Sequence, residues 1–313
     1  MQVPIYLITG FLESGKTSFI QQVIVEGNFV EDEKTLLIAT EEGVEEYDTD
    51  ILKRFNVDLV TVEEKKDFTP DFLRKLRREY RPMQVIIEYN GMWPVSEFVR
   101  MQLPFGWELY QVVTTVDAST FQLYLNNMRS LIADMIVSTS MVIFNRCKED
   151  TDLQLLLRNV RVLNSRTEMV FEAENGDILD PGDDILPFDI QQDPVTIEDE
   201  DYGIWYLDAL DHPEHYEGKQ VQIKGMVFKS KNFDRDYFVP GRMAMTCCAD
   251  DITFLGFMCK SRHAVSLKNK QWVRVTAEVH SEYKEEYHGV GPVLYAKKIE
   301  GARKPEEEMV YFN

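Results

Sequence analysis

The residues from Gly10 to Thr17 read G-F-L-E-S-G-K-T, which is a complete phosphate-binding loop of the G-x-x-x-x-G-K-[ST] type. The apolar run from Val3 to Ile8 predicts a buried strand before this loop. Apolar residues at helical spacing between positions 17 and 25 predict a helix after it. This strand–loop–helix context favours a nucleotide-binding loop over a chance match on a glycine turn, because backbone N–H groups and a helix N-terminus together bind phosphate.

Within this loop, the chemistry assigns separate roles to two side chains. Lys16 is expected to reach the β- and γ-phosphates, and the hydroxyl of Thr17 is expected to ligate Mg²⁺. The predicted nucleotide-binding residues of this region are Gly10, Glu13, Ser14, Gly15, Lys16, Thr17 and Ser18.

Hydrolysis of a nucleoside triphosphate also needs a carboxylate near the metal and a group that meets the γ-phosphate. Glu88 directly follows a strand-like run and is predicted to hold Mg²⁺ or its water shell, and the N–H of Gly91 is predicted to meet the γ-phosphate. With Lys16, these are the predicted catalytic residues. Glu41 follows an earlier strand and is a second candidate for the metal. The alternatives are a polar turn around Glu88 and a solvated acidic loop around Glu41.

A candidate base-reading loop begins at Asn145 and Arg146, where guanine-specific proteins carry Asn-Lys-x-Asp. Arg146 can supply the aliphatic stem of the lysine. Lys148 stands at the position of the aspartate, and an ammonium cannot accept the hydrogen bonds of guanine. Glu149 or Asp150 could accept them if the loop is offset. The sequence therefore leaves the base preference open, with GTP as the expected nucleotide.

The pattern of elements divides the chain into two domains. Alternating strand-like and helix-like segments over residues 1–176, including one amphipathic helix at 118–134, predict an α/β domain with a mostly parallel sheet. Residues 177–201 are rich in Asp, Glu, Pro and Gly, and predict an acidic linker. Five strand-like segments within 202–313 predict a small all-β, OB-like barrel.

Composition restricts the functions that this chain can have. A net charge of −20 argues against binding to nucleic acid or anionic lipid, although aromatic residues of a barrel could stack bases. No run approaches the roughly 18 apolar residues of a membrane span, so direct membrane insertion is not expected. No signal peptide is expected either, and four cysteines without a secretory context favour free thiols and a cytoplasmic location.

Cys247 and Cys248 form an adjacent pair in the second domain. Thiolates are good Zn²⁺ ligands, but neighbouring residues of a strand point to opposite faces. A shared ion would therefore need a bulge or turn at this point. A Zn²⁺ site, redox or covalent chemistry, and simple packing all remain open for this pair.

Four motifs in the first domain resemble the CobW/HypB/UreG class of P-loop GTPases, and specifically its CobW branch. They are the phosphate-binding loop, the acidic segment 40–48, the segment 88–94, and Val116–Ala118. The resemblance implies GTP hydrolysis with Mg²⁺, coupled to metal insertion or cofactor assembly. However, residues 62–70 contain none of the cysteines of the Cys-x-Cys-Cys motif that this branch usually carries.

The second domain resembles the C-terminal domain of YcgQ-like proteins, through residues 218–225 and 242–250. Those proteins are paired with a predicted membrane permease, so the resemblance implies a shared pathway with a transport system. The main hypothesis is thus a GTP-binding and GTP-hydrolysing switch in metal homeostasis or transport. Its partner would be a permease complex or a metal-dependent client. The alternatives are a metal chaperone that uses Cys247 and Cys248, and a non-hydrolysing, nucleotide-bound adaptor to a permease.

Overall fold

The computed structural model of this protein describes residues 2–26, 33–41, 43, 46–164, 166–182, 186–245 and 252–310. The chain divides into two units, Met1–Pro181 and Gly182–Asn313. Each unit contains its own β-sheet, and the two are described separately. No helix in the described part of the chain is both long enough and apolar enough to cross a membrane.

An eight-stranded sheet forms the centre of the first unit, in the order β3-β2-β4-β1-β5-β6-β7-β8. Its strands are β1 (Val3–Thr9), β2 (Thr35–Ala39), β3 (Val57–Thr61), β4 (Gln84–Glu88), β5 (Trp107–Asp117), β6 (Met141–Cys147), β7 (Glu168–Ala173) and β8 (Ile178–Leu179). Among the described strands of this sheet, only β7 and β8 pair in antiparallel orientation. All residues of β2 and β4 are buried. Burial of this kind is typical of parallel strands whose two faces are both covered.

Within the described residues, seven α-helices accompany this sheet. They are α1 (Lys16–Glu26), α2 (Thr49–Arg54), α3 (Pro70–Tyr80), α4 (Val95–Val99), α5 (Phe121–Asn127), α6 (Arg129–Ser138) and α7 (Leu153–Leu163). Local sequence explains several of their ends. At α3, for example, the hydroxyl of Thr69 accepts a hydrogen bond from the Phe72 N–H, and Pro70 occupies the first turn, where its missing N–H costs nothing.

The single helix predicted over residues 118–134 is wrong, because the structure forms α5 and α6 there. Met128 separates them with φ −132° and ψ 36°, outside the helical region. Its N–H donates to the carbonyl of Tyr124 and so ends α5. The preceding Asn126 and Asn127 are weak helix formers, which favours a break at this point. The second helix continues to Ser138, beyond the predicted end.

The second unit is built on a closed barrel. Its elements are β9 (Val195–Thr196), α8 (Tyr202–Asp211), β10 (Gln220–Phe228), β11 (Tyr237–Met245), β12 (Ile252–Leu255), β13 (Met258–Lys260), β14 (Trp272–Lys284), β15 (Gly289–Gly301) and β16 (Met309–Val310). Five strands close the barrel in the order β11-β13-β15-β14-β10, and β10 pairs again with β11. The strands β13 and β15 are parallel. The predicted fold class, a mostly parallel α/β domain followed by an OB-like barrel, is therefore confirmed.

A buried arginine connects the acidic segment before the barrel to the barrel itself. Arg242 of β11 is 1% exposed and donates to Asp199 Oδ1 at 3.1 Å and to the carbonyl of Glu307 at 2.7 Å. Lys224 also pairs with Asp199. In addition, β9 lies within the predicted linker 177–201 and pairs with β10. The role of that segment as a linker, and the predicted domain limits, stay predictions.

Barrel closure depends on a close approach of two backbones at Gly225. A Cβ at this residue would lie 2.7 Å from the carbonyl carbon of Pro240, whereas a Cβ at Gly301 would meet nothing within 4 Å. We expect Gly225→Ala to destabilise the barrel by about 1–3 kcal/mol, because the two strands must separate. Gly301→Ala is the matched control. Amide hydrogen exchange of β10 and β11 measures the effect, and equal protection in the two variants would contradict it.

Candidate nucleotide-binding site

The phosphate-binding loop lies between β1 and α1, at the carboxyl edge of the parallel sheet. Gly15 has φ +91°, and a Cβ there would lie 2.5 Å from the side-chain nitrogen of Asn145. Only glycine satisfies both the backbone angle and the space. The N–H of Ser14 donates to the carbonyl of Phe11 at 3.1 Å. The loop thus has the compact form that its sequence predicts.

Lys16 is buried within this loop, with 3% of its surface exposed. Its ammonium donates to the carbonyls of Gly10 and Phe11, both at 2.8 Å. It also forms an ion pair with Glu41, whose side chain is 10% exposed. Since a buried ammonium needs an anion or several acceptors nearby, Glu41 compensates much of this charge.

A second cluster of oxygen atoms lies around Glu88, at the end of β4. The Thr17 hydroxyl donates to Glu88 Oε1 at 2.6 Å, and the Tyr47 hydroxyl donates to Oε2 at 2.7 Å. Burial raises the pKa of Glu88, and the hydrogen bonds from Thr17 and Tyr47 and the charge of Lys16 partly oppose this rise. Burial is the main cause that raises the pKa of Tyr47, and the negative charge of Glu88 is the second. The phenol therefore stays protonated.

These oxygen atoms fit the chemistry of Mg²⁺, which prefers hard oxygen ligands. Thr17 and Glu88 already lie within hydrogen-bond distance of each other. The sequence predicted both of them as metal ligands. Glu41, the third predicted ligand, forms an ion pair with Lys16. Its role as a metal ligand stays a prediction.

The turn after β4 is held against the phosphate-binding loop. Thr40 is fully buried, donates to the carbonyl of Glu88 at 2.9 Å and accepts from the Asn90 N–H at 2.7 Å. A Cβ at Gly91 would lie 2.1 Å from the carbonyl of Gly10, so this contact requires glycine. The hydrogen bond expected from the Gly91 N–H to a γ-phosphate stays a prediction.

The base-reading loop also contacts the phosphate-binding loop. The side chain of Asn145 donates to the carbonyl of Ser14 at 2.8 Å, and Arg146 donates to the carbonyl of Glu13 at 2.8 Å. Arg146 forms an ion pair with Asp117 at 2.7 Å. Partial burial acts to raise the pKa of Asp117, but hydrogen bonds from Ser119 and Arg146 outweigh it and lower the pKa. The arginine is thereby fixed beside the loop.

One cavity of about 340 Å³ brings most of the predicted residues together. It is lined by Leu12, Glu13, Gly15, Lys16, Thr17, Ser18, Glu41, Gly43, Glu88 and Arg146. The predicted residues Gly10 and Ser14 line a neighbouring cavity on the other side of the same loop. A further cavity of about 570 Å³ lies beyond β6 and is lined by Cys147–Asp150, Ala173–Asn175 and Leu179.

Sequence reasoning missed the part that Tyr47 and Thr40 play in this site. Both lie in the acidic segment 40–48, part of which lies outside the described residues. Asp48, from the same segment, caps α2 by accepting hydrogen bonds from the N–H groups of Asp50 and Ile51. No local motif marks a tyrosine as the partner of a carboxylate 41 residues away.

The predicted metal ligands Cys247 and Cys248 lie outside the described residues. The two described cysteines, Cys147 and Cys259, are buried and free. Burial raises the pKa of both thiols, and most strongly that of Cys259. Both are therefore protonated packing residues at neutral pH, since the thiolate is the reactive form.

With this geometry established, comparison with known proteins identifies the class. The model of the CobW/HypB/UreG nucleotide-binding domain matches residues 4–171, and the model of the DUF1980 C-terminal domain matches residues 183–312. The chain belongs to the CobW/HypB/UreG family of P-loop GTPases. Its second unit carries the DUF1980 C-terminal domain.

Individual relatives are distant. The chain is 18% identical over 117 residues to UPF0703 protein YcgQ of Bacillus subtilis, which covers 37% of this chain and 41% of that protein. Hydrogenase maturation factor HypB of Archaeoglobus fulgidus aligns with 16% identity and a TM-score of 0.42, over 56% of this chain and 82% of that one. The Zn(II)-bound YjiA GTPase of E. coli aligns with 17% identity and a TM-score of 0.43, over 73% and 74%. The assignment rests on the family model and not on these alignments.

The burial of Glu88 leads to a prediction about ligand binding. Glu88→Gln keeps the size of the side chain and one oxygen acceptor but removes the charge. We expect the gain in nucleotide affinity that Mg²⁺ confers to fall by about 10- to 100-fold. Calorimetric titration with and without Mg²⁺ measures this gain. Glu108→Gln, at an exposed carboxylate of β5, is the matched control, and an unchanged Mg²⁺ effect in Glu88→Gln would contradict the assignment.

The same variant has an expected effect on stability. Because the pKa of Glu88 is raised, the folded state binds a proton more readily than the unfolded state. The ionised carboxylate therefore lowers the free energy of unfolding at neutral pH. This cost begins to fall as the pH drops through the raised pKa of the folded state, and it is gone below the ordinary pKa of 4.5. Without ligand, Glu88→Gln should gain stability over wild type at pH 7 and lose that advantage under mild acid. Urea unfolding at both pH values measures the difference, and a constant difference would contradict the prediction.

Proposed function

We propose that this protein is a Mg²⁺-dependent GTPase that acts as a nucleotide switch in metal homeostasis or in a transport-associated pathway. The observation that carries the proposal is the cluster of Lys16, Thr17, Glu41 and Glu88 that lines one cavity. Membership of a family of P-loop GTPases supports it. The cavity offers a cation for phosphate and oxygen ligands for a metal at the same place, which phosphoryl transfer requires.

Lys16 is the first residue of the proposed mechanism. Its ammonium is held by the carbonyls of Gly10 and Phe11 and paired with Glu41. The β- and γ-phosphates of a nucleotide would take the place of the Glu41 carboxylate on this ammonium. Glu41 would then leave Lys16, and the acidic segment around it would change with the state of the nucleotide. This exchange of one anion for another is the proposed origin of the switch.

Thr17 and Glu88 would hold Mg²⁺ beside the phosphates, with Glu41 as further support. When bound, Mg²⁺ neutralises the negative charge that develops on the transferred phosphoryl group. Tyr47 orients the Glu88 carboxylate through its 2.7 Å hydrogen bond. Thr40 fixes the backbone that follows Glu88 and so places Gly91 beside the loop. The N–H of Gly91 would then meet the γ-phosphate.

The base of the nucleotide would occupy the cavity beyond β6. Glu149 and Asp150 line this cavity together with Lys148 and Glu174. Ionised carboxylates accept hydrogen bonds, and the N1–H and N2–H groups of guanine are donors that need such acceptors. Asn145 and Arg146, which are hydrogen-bonded to the phosphate-binding loop, would connect the base cavity to the phosphate site.

A non-hydrolysing adaptor to a membrane permease is a second candidate function. The match of the barrel unit to the DUF1980 C-terminal domain and the similarity to YcgQ favour a partner of this kind. In that function the nucleotide would be bound without turnover. Lys148 at the position of the base-reading aspartate motivates this candidate. A third candidate, a metal chaperone based on Cys247 and Cys248, rests on residues outside the described ranges.

Removal of the buried ammonium tests the main proposal. We expect Lys16→Ala to weaken GTP binding at least about 30-fold, because the loss of one partner of a buried charge pair costs about 2 kcal/mol or more. Mg²⁺-dependent phosphate release should disappear with it. Lys75→Ala, at an exposed position of α3, is the matched control. Release at the wild-type rate by Lys16→Ala would contradict the proposal, and binding without any release by wild type would favour the adaptor.

The base cavity leads to a separate prediction. We expect the double change Glu149→Gln and Asp150→Asn to reduce the preference for GTP over ATP by about 10- to 100-fold, because hydrogen bonds to charged acceptors are lost. Competition of GTP and ATP for a fluorescent nucleotide measures the ratio. Glu168→Gln, at an exposed residue of β7, is the control. An unchanged ratio would show that neither carboxylate reads the base.

A further inference from the structure

A cluster of metal-ligating side chains lies in the second unit, where α8 ends. His212, Glu214 and His215 place one ligand atom each within 4.8 Å of one another. Among the described residues, it is the one group of three or more His, Cys, Asp or Glu side chains with this geometry. The cluster contains no residue of the nucleotide site, and the proposed GTPase function does not depend on it.

The backbone around this cluster is fixed. The N–H of His212 donates to the carbonyl of Asp208 at 2.7 Å and so ends α8. The N–H of His215 donates to the carbonyl of His212 at 3.0 Å, across a turn that begins with Pro213. Tyr216, fully buried, anchors the far end of this turn. The three ligand side chains are therefore carried by a short, ordered segment.

A buried carboxylate lies within hydrogen-bond distance of one of the two histidines. Asp208 Oδ2 lies 3.3 Å from His215 Nδ1 and accepts a hydrogen bond of 2.6 Å from the Tyr216 hydroxyl. The side chain of Asp208 is only 6% exposed. A carboxylate on one ring nitrogen fixes the orientation of the ring and leaves the other nitrogen, Nε2, to face a metal, which is the arrangement usual around zinc-bound histidines.

The rings of His212 and His215 lie side by side, with centroids 5.0 Å apart and an interplanar angle of 22°. Glu214 Oε1 lies 3.3 Å from His212 Nδ1. In a tetrahedral zinc site the ligand atoms are about 3.4 Å apart, at about 2.0–2.1 Å from the ion. Rotation of exposed side chains can supply this adjustment, because His212 and Glu214 are 56% and 69% exposed.

We propose that His212, Glu214 and His215 bind one Zn²⁺ ion at the surface of the barrel unit, with water as the fourth ligand. Two imidazoles and one carboxylate form a donor set that suits zinc. The net charge of −20 raises the local concentration of cations around the chain. Asp208 is a positioning residue in this site, because it acts on the metal through His215. The site is separate in sequence from the Cys247–Cys248 pair.

Competition with a chromophoric chelator tests the proposal on the full-length, metal-free protein. The Cys247→Ser, Cys248→Ser double variant should still bind one equivalent of Zn²⁺. In that background, His212→Ala with His215→Ala should weaken Zn²⁺ binding at least about 100-fold, and Glu214→Gln about 10-fold or more. His263→Ala, at an exposed histidine outside the cluster, should leave binding unchanged.

Co²⁺ spectroscopy identifies the ligand type, and it does not depend on the folding of any histidine variant. The cysteine double variant with Co²⁺ should show the visible bands of a low-symmetry nitrogen and oxygen site, without the charge-transfer band that thiolates give. Loss of all tight Zn²⁺ and Co²⁺ binding in the cysteine double variant would overturn the proposal. The proposal would also be overturned if Glu214→Gln and the histidine double variant, measured separately, both bound Zn²⁺ with wild-type affinity. Since the readout is metal binding, its failure would leave the GTPase proposal untouched.

Discussion

The geometry of the candidate nucleotide site depends on the buried ammonium of Lys16. It is buried between two carbonyls of its own loop and the carboxylate of Glu41. A buried charge of this kind is stable only while an anion compensates it. The loop and the strand that precedes it hold this ammonium against the Glu41 carboxylate. In the proposed function, a phosphate of the nucleotide would bind at the same place and displace the Glu41 carboxylate from this ammonium.

Glu88 extends the same constraint to the metal. Burial raises the pKa of this carboxylate, and only the hydroxyls of Thr17 and Tyr47 and the nearby charge of Lys16 counteract the rise. The protein therefore keeps an acid in an environment that does not favour its ionised form. A divalent cation at this place would relieve that cost. Without a ligand, the fold therefore favours the protonated form of this carboxyl over the ionised form. Shifted pKa values of this kind are common where residues serve binding.

Sequence reasoning predicted those parts of the site that local spacing determines. The loop, its strand and helix, and the carboxylate after β4 were all predictable because each depends on a few neighbouring residues. The contacts of Tyr47 with Glu88 and of Arg242 with Asp199 were not, because they join residues 41 and 43 positions apart without a motif. The break at Met128 was missed for a different reason: both helices share an apolar face, so the periodicity continues across it. In the barrel, apolar residues at alternate positions of β10 made this strand predictable, but the sequence did not indicate the order in which the strands close.

Phosphate release under single-turnover conditions shows whether Lys16, Thr17 and Glu88 form a GTPase site. The full-length protein would be in excess over labelled GTP or ATP, with and without Mg²⁺, and followed long enough to detect slow hydrolysis without a partner. We expect release from GTP that requires Mg²⁺ and exceeds release from ATP. If GTP yields no phosphate above the protein-free blank, or if release does not require Mg²⁺, the assignment of Lys16, Thr17 and Glu88 to a GTPase site is contradicted.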